Sequence, residues 1–217
     1  LSDNHLIMRN TTTRRAAVLL MLFALLFVGK ANANNAQEAR KMLDRTWKMV
    51  FGPEGCSLNY SVNIIGIYKT QGSIAIKGKK QHFVEKRYCA WNNGKKLYSV
   101  DLKKKKVELH NPQSPKRDKY ASKFTYALND YNYSWTKSKE GIVITLNAKK
   151  GVDSSVKHAK VVLNPKNYYP VSLHIKVAFF WTKVYITNFK AGNISDRLFD
   201  YPAARFKDYI FKNCWPD

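Results

Sequence analysis

Carboxylates are scarce in this chain: 15 Asp and Glu stand against 38 Lys and Arg, a formal net charge of +23 over 217 residues. Acid–base catalysis draws on positioned carboxylates and histidines, and those present do not converge. Asp101, Asp118, Asp130 and Asp153 read as turn residues, while His82, His110, His158 and His174 stand singly in strand-like segments without H-x-H or H-x-x-x-H spacing. No phosphate loop, dinucleotide fingerprint or nucleophile elbow is present. The expectation is a protein that is not an enzyme and needs neither cofactor nor metal. Cysteine is equally sparse. Cys56, Cys89 and Cys214 allow at most one internal disulfide and leave one thiol over, and spacing does not choose the pair. None sits in a C-x-x-C pair, so a zinc or thioredoxin-like centre has no local support.

Long apolar runs are missing as well. Ala16 to Val28 is thirteen residues, short of the roughly 20 that cross a bilayer as a helix. It follows Met8, Arg9, Arg14 and Arg15 and precedes Ala31-Asn32-Ala33, the pattern of a cleavable signal peptide cut after Ala33. The residues before Met8 read as lying upstream of that signal. The cysteine that a lipid-anchored lipoprotein carries at its cleavage site is absent, since Asn34, Asn35 and Ala36 stand there. Residues 1–33 are therefore expected to be a leader and upstream residues, and 34–217 a single soluble, exported domain. The leader takes only Arg9, Arg14, Arg15, Lys30 and Asp3 of the charged residues, so the domain keeps a strongly positive field. Such a field attracts anionic envelope surfaces such as lipid headgroups or lipopolysaccharide phosphates. Export makes nucleic acid the least suitable partner.

From Ala36 to Phe51 the apolar Ala39, Leu43, Trp47 and Val50 recur at three- and four-residue steps, one stripe of an amphipathic helix. Gly52-Pro53 ends it. The period then shortens to two. Strands are predicted over Leu58–Val62 with a bulge at Ile64-Ile65, then over Gly72–Lys77, Phe83–Trp91, Leu97–Leu102 and Val107–Leu109. Asn93-Gly94 reads as a type I′ hairpin turn, and Lys103–Lys106 as a solvated turn, with an anionic partner as the alternative. A second helix is predicted over Asp118–Asn129. Further strands follow over Tyr131–Ser138, Ile142–Ala148, Ala159–Leu163, Val171–Val177 and Thr182–Phe189. Phe199, Tyr201, Tyr209 and Phe211 are expected to anchor a loop-like tail that could pack a final strand.

Without β-α-β alternation a parallel sheet is not expected. Nine or ten antiparallel strands with two helices give a mainly β fold with α content, whose inner face carries fourteen apolar positions. These are Tyr60, Val62, Ile74, Ile76, Phe83, Tyr98, Val100, Ile144, Leu146, Val161, Leu163, Leu173, Ile175 and Ile186. A face of this kind either packs as a core or lines a cavity for an apolar ligand. Periodicity leaves both open.

The order of features resembles the LolA family of periplasmic lipoprotein carriers. A signal, an amphipathic helix and Gly72-Ser73-Ile74-Ala75-Ile76-Lys77-Gly78 come first. Asn93-Gly94-Lys95-Lys96-Leu97-Tyr98-Ser99-Val100-Asp101 with Val107 follows. Next are Val161-Val162-Leu163-Asn164 and Pro170-Val171-Ser172-Leu173-His174-Ile175, and last Phe199-Asp200-Tyr201-Pro202, similar to the family's Phe-x-Phe tail. Asn93, Tyr98 and Val100 stand where the family commonly carries Asp, Trp and Tyr. The resemblance implies an incomplete antiparallel β-barrel wrapped around or capped by helices, the fourteen positions lining a lipid-binding cavity. It also implies a monomeric chaperone for acylated lipoproteins, loaded by an inner-membrane release complex and unloaded to an outer-membrane acceptor. The alternative is a non-catalytic interaction or sensor domain with a packed interior and a basic docking surface.

Overall fold

The computed structural model describes residues 33–64, 68–113, 128–152, 156–177 and 180–215. The predicted leader, up to residue 32, lies outside them, as do Asp118 and Asp153. Helix α1 spans residues 33–51 and turns the predicted stripe inward, with Ala39 and Leu43 buried, Trp47 half-buried and Val50 packed beneath its last turn. It ends where the Gly52 N–H bonds to the Lys48 carbonyl at 2.9 Å. A Cβ at Gly52 would lie 2.2 Å from that oxygen, so glycine is required there.

Among the described residues, twelve strands form one open sheet. Their ranges are β1 Cys56–Ile64, β2 Tyr68–Lys77, β3 Lys80–Glu85, β4 Tyr88–Asn92, β5 Leu97–Asp101 and β6 Lys106–His110. Then come β7 Tyr131–Ser138, β8 Gly141–Ala148, β9 His158–Leu163, β10 Pro170–Val177, β11 Phe180–Ala191 and β12 Ile210–Asn213. The spatial order is β12-β6-β5-β4-β3-β2-β1-β11-β10-β9-β8-β7. Two antiparallel meanders are thus joined by β1 against β11. The sheet curls without closing, with α1 on its concave side, which matches the incomplete barrel expected.

Several sequence expectations change. Phe83–Trp91 is two strands, β3 and β4, because the chain reverses between Glu85 and Tyr88. The turn after β4 is a four-residue loop closed by Asn93 N–H to the Lys96 carbonyl. Only Gly94 (φ +87°) is left-handed near its tip, so it is not type I′. The β1 register break lies between Ser57 and Asn59 opposite β11; Ile65 falls outside the described residues. So does the helix predicted over Asp118–Asn129 up to residue 127, while Leu128–Asp130 form one 3-10 turn. The tail adds β12, which runs parallel to β6, the exception to an otherwise antiparallel sheet.

Among the described residues, three apolar clusters hold the layers together. Under α1, Ala39 and Leu43 pack on Ile142, Ile144, Leu146, Ala159 and Leu163. Under Val50 lie Cys56, Leu58 and Ile76. On the opposite, convex face, Cys89, Trp91, Val100 and Val107 are covered by Tyr201, Phe206 and Tyr209 of the tail. Strand β4 is consequently buried on both faces. The edge strand β7 is partly capped by α1: the Asn35 side-chain amide both donates to the Trp135 carbonyl (3.0 Å) and accepts from its N–H (2.9 Å). This occupies backbone groups that an unpaired edge would otherwise offer to another chain.

All three cysteines are free thiols, and their places explain why. Cys56 lies on the concave face, Cys89 on the convex face and Cys214 beyond β12. Burial pushes the Cys56 thiol up to about 11 and raises that of Cys89 as well.

The lysine run is held by one carboxylate. Asp101 Oδ1 accepts the N–H groups of Lys103 and Lys104, both at 3.0 Å, and Oδ2 meets Arg87 Nη2 at 3.0 Å. The Arg87 hydrogen bond, followed by these backbone donors, holds the Asp101 carboxyl down at about 2. A carboxyl lowered in the folded state stabilises above its unfolded pKa of about 3.9 and loses that contribution as pH falls toward about 2. Asp101→Asn is therefore expected to flatten the acid limb of a stability–pH curve between about pH 4 and 2. A wild-type Asp101 that titrates near 4 by carboxyl NMR would refute the arrangement.

A candidate ligand groove on the uncovered concave face

Residues opposite one another in antiparallel pairs point to the same face, so the register reveals what the concave side presents. One row runs Leu58, Ile74, Phe83 across β1, β2 and β3. A second runs Val62, Val184, Leu173, Val161, Ile144 and Trp135 from β1 through β11 to β7. Helix α1 covers the β7 end of the second row and leaves the middle of the sheet uncovered. There Leu58, Tyr60, Ile74, Phe83, Leu173, Val184, Ile186 and Glu85 line a groove of about 380 Å³. That lies within the lower range of ligand clefts.

The groove has one polar end. The Tyr60 hydroxyl donates to Glu85 Oε1 at 2.5 Å, crossing over Gly72. A Cβ at Gly72 would stand 3.0 Å from the Tyr60 hydroxyl and 2.5 Å from the Val84 carbonyl, so its lack of a side chain lets the bridge form. A larger cleft of about 640 Å³ lies between α1 and the β7–β8 hairpin, but Glu38, Lys41 and Lys137 border it. The central groove is the more apolar of the two.

The fourteen predicted positions divide three ways. Tyr60, Ile74, Phe83, Leu173 and Ile186 line the groove, and Val62 faces the same side opposite Val184. Ile76, Ile144, Leu146 and Leu163 are buried, the last three beneath α1, where Val161 and Ile175 pack beside them. Tyr98 and Val100 are on the convex face. Val100 is fully buried there, and Tyr98 stacks on Tyr201 at 4.1 Å. Leu58 and Val184 are not among the predicted positions although they line the groove; period-two spacing from Tyr60 and Ile186 puts them on that face, and the register sets them beside Ile74 and Leu173.

The convex face of the other meander is different. Trp181 and Tyr185 are 47% and 49% exposed, with Lys160 Nζ 5.4 Å above the Trp181 ring and Lys183 Nζ 4.5 Å above the Tyr185 ring. Among the described residues, no helix is long and apolar enough to cross a membrane.

Residues 30–178 match the family model described as outer membrane lipoprotein carrier protein LolA. The chain belongs to the LolA family. No curated protein matches this LolA-family chain in sequence. Its fold is similar to that of an uncharacterised conserved protein from Thermus thermophilus, with a TM-score of 0.55 at 12% identity over 81% of this chain and 99% of that one. A LolA superfamily protein from Nitrosomonas europaea aligns with a TM-score of 0.39 at 9% identity over 75% of this chain and 97% of that one.

Proposed function

We propose that this LolA-family chain is a periplasmic carrier that shelters the acyl chains of lipoproteins in the central groove and passes them toward the outer membrane. The observation that carries the proposal is the uncovered apolar surface where Leu58, Ile74 and Phe83 meet Leu173, Val184 and Ile186. Toward β7, the equivalent positions Ile144 and Leu146 are sealed by α1. Each acyl methylene removed from water is worth about 0.8 kcal/mol, so an acylated protein needs such shelter to leave one membrane for another. Hand-over requires no bond to be made or broken. An inner-membrane release complex and an outer-membrane acceptor are the partners this role calls for.

A second reading has its own observation. The exposed Trp181 and Tyr185 beneath Lys160 and Lys183 suit an anionic surface, as aromatic and basic side chains do at lipid headgroups. That favours a docking or sensor domain. Native mass spectrometry of the protein with a detergent-solubilised triacylated lipoprotein, and with its unacylated form, separates the two. The carrier proposal expects a one-to-one complex with the acylated form alone. Binding to both forms or to neither overturns it in favour of docking.

A further inference from the structure

Away from the groove, the parallel pairing of β12 with β6 brings a distant third side chain to a pair that lies two residues apart on one strand. Glu108 and His110 alternate onto one face of β6. Cys214 follows β12 directly, and its N–H bonds to the Leu109 carbonyl at 2.9 Å. One ligand atom from each of Glu108, His110 and Cys214 lies within 4.8 Å of the others. Among the described residues, no other such trio is found.

The geometry points to a binding site for a divalent cation of the zinc class, held by the Glu108 carboxylate, a ring nitrogen of His110 and the Cys214 thiolate. Imidazole, thiolate and carboxylate are the donors zinc takes, with bonds of about 2.0–2.3 Å and four ligands, so three protein donors leave one position for water. Tetrahedral bonds of that length put donors within about 4 Å of one another, so small rotamer adjustments close the site. The ion would replace the present contact of His110 Nε2 with Glu108 Oε2, 3.3 Å long. Thiolate and carboxylate together balance its two charges, which matters on so basic a chain. All three side chains are half-buried, shielded yet reachable.

The consequence is structural. Strand β12 is four residues long, with Ile210 and Phe211 exposed at 69% and 56%, and a metal bound to both strands would staple it to β6. Lys106 is the competitor, since its ammonium holds Glu108 Oε1 at 2.6 Å.

Cobalt(II) titration of the reduced protein tests the site, because a thiolate ligand gives an intense charge-transfer band and Cys56 and Cys89 are buried away from it. One equivalent is expected to produce the band and Zn²⁺ to displace it. Cys214→Ser, a near-isosteric change outside the core, should abolish the band. His110→Gln should weaken binding by more than about 100-fold, beyond the 10–100-fold typical of losing an outer-shell partner. Lys106→Gln should tighten it. No thiolate band, or a band unchanged in Cys214→Ser, overturns the proposal.

Discussion

Ile144→Ala is expected to destabilise the protein by about 2–5 kcal/mol, the range for emptying a sealed aliphatic site. Ile144 is fully inaccessible. It sits in the concave row between Trp135 and Val161, with Ala39 and Leu43 of α1 in the same cluster. The cavity opens where α1 is secured to the sheet, and the neighbours have little room to collapse. Asn35 ties that helix to Trp135 of β7, as does Glu38, whose Oε2 accepts the indole N–H at 3.0 Å. Urea denaturation measures the loss. A change below about 1 kcal/mol, well under the range for such a truncation, would mean that α1 does not seal this end of the concave face.

Leu173→Glu is expected to weaken capture of an acylated lipoprotein by about 100-fold or more while leaving the unfolding midpoint near that of the parent. A buried leucine contributes about 1.5–3 kcal/mol, and each 1.4 kcal/mol is tenfold in affinity. A carboxylate in the groove must also be desolvated when the acyl chain arrives. Leu173 serves because it is only half-buried, with room on the groove side. The same charge at Ile76 or Leu146, which are 6% and 2% exposed, would unfold the sheet and mimic a loss of binding. A folded Leu173→Glu protein that still forms the complex would dismiss the groove as the acyl site.

The two variants also mark how far the sequence can be read. Tyr131–Ser138 is legible to the residue because period-two alternation is bounded by polar turns. The β3–β4 reversal is not. Its turn, Lys86-Arg87, contains none of the Gly, Pro or Asn residues that announce a hairpin. Alternation fixes which residues share a face without saying which face is concave. It therefore puts Tyr98 and Val100 inside, when Leu97, Ser99 and Asp101 take that side and the tail covers the apolar pair. A final strand in the tail is readable, but its pairing escapes, because a parallel partner so distant in the chain leaves no local signature. Whether Ile144 is core and Leu173 groove depends on where α1 comes to rest, and a stripe of apolar residues does not encode that position.

The β1–β11 seam bears on the order in which the molecule can be made. Cys56 pairs with Ile76 on one side and with Ala191 on the other. A chain emerging amino end first can complete β1–β6 as a local meander, with short loops closing at little entropic cost. It cannot cover the outer edge of β1 until Ala191 has emerged. Throughout that interval Leu58 and Tyr60 border a free backbone edge, so the nascent half-sheet is the form most exposed to mispairing, and a chaperone for this protein would act there.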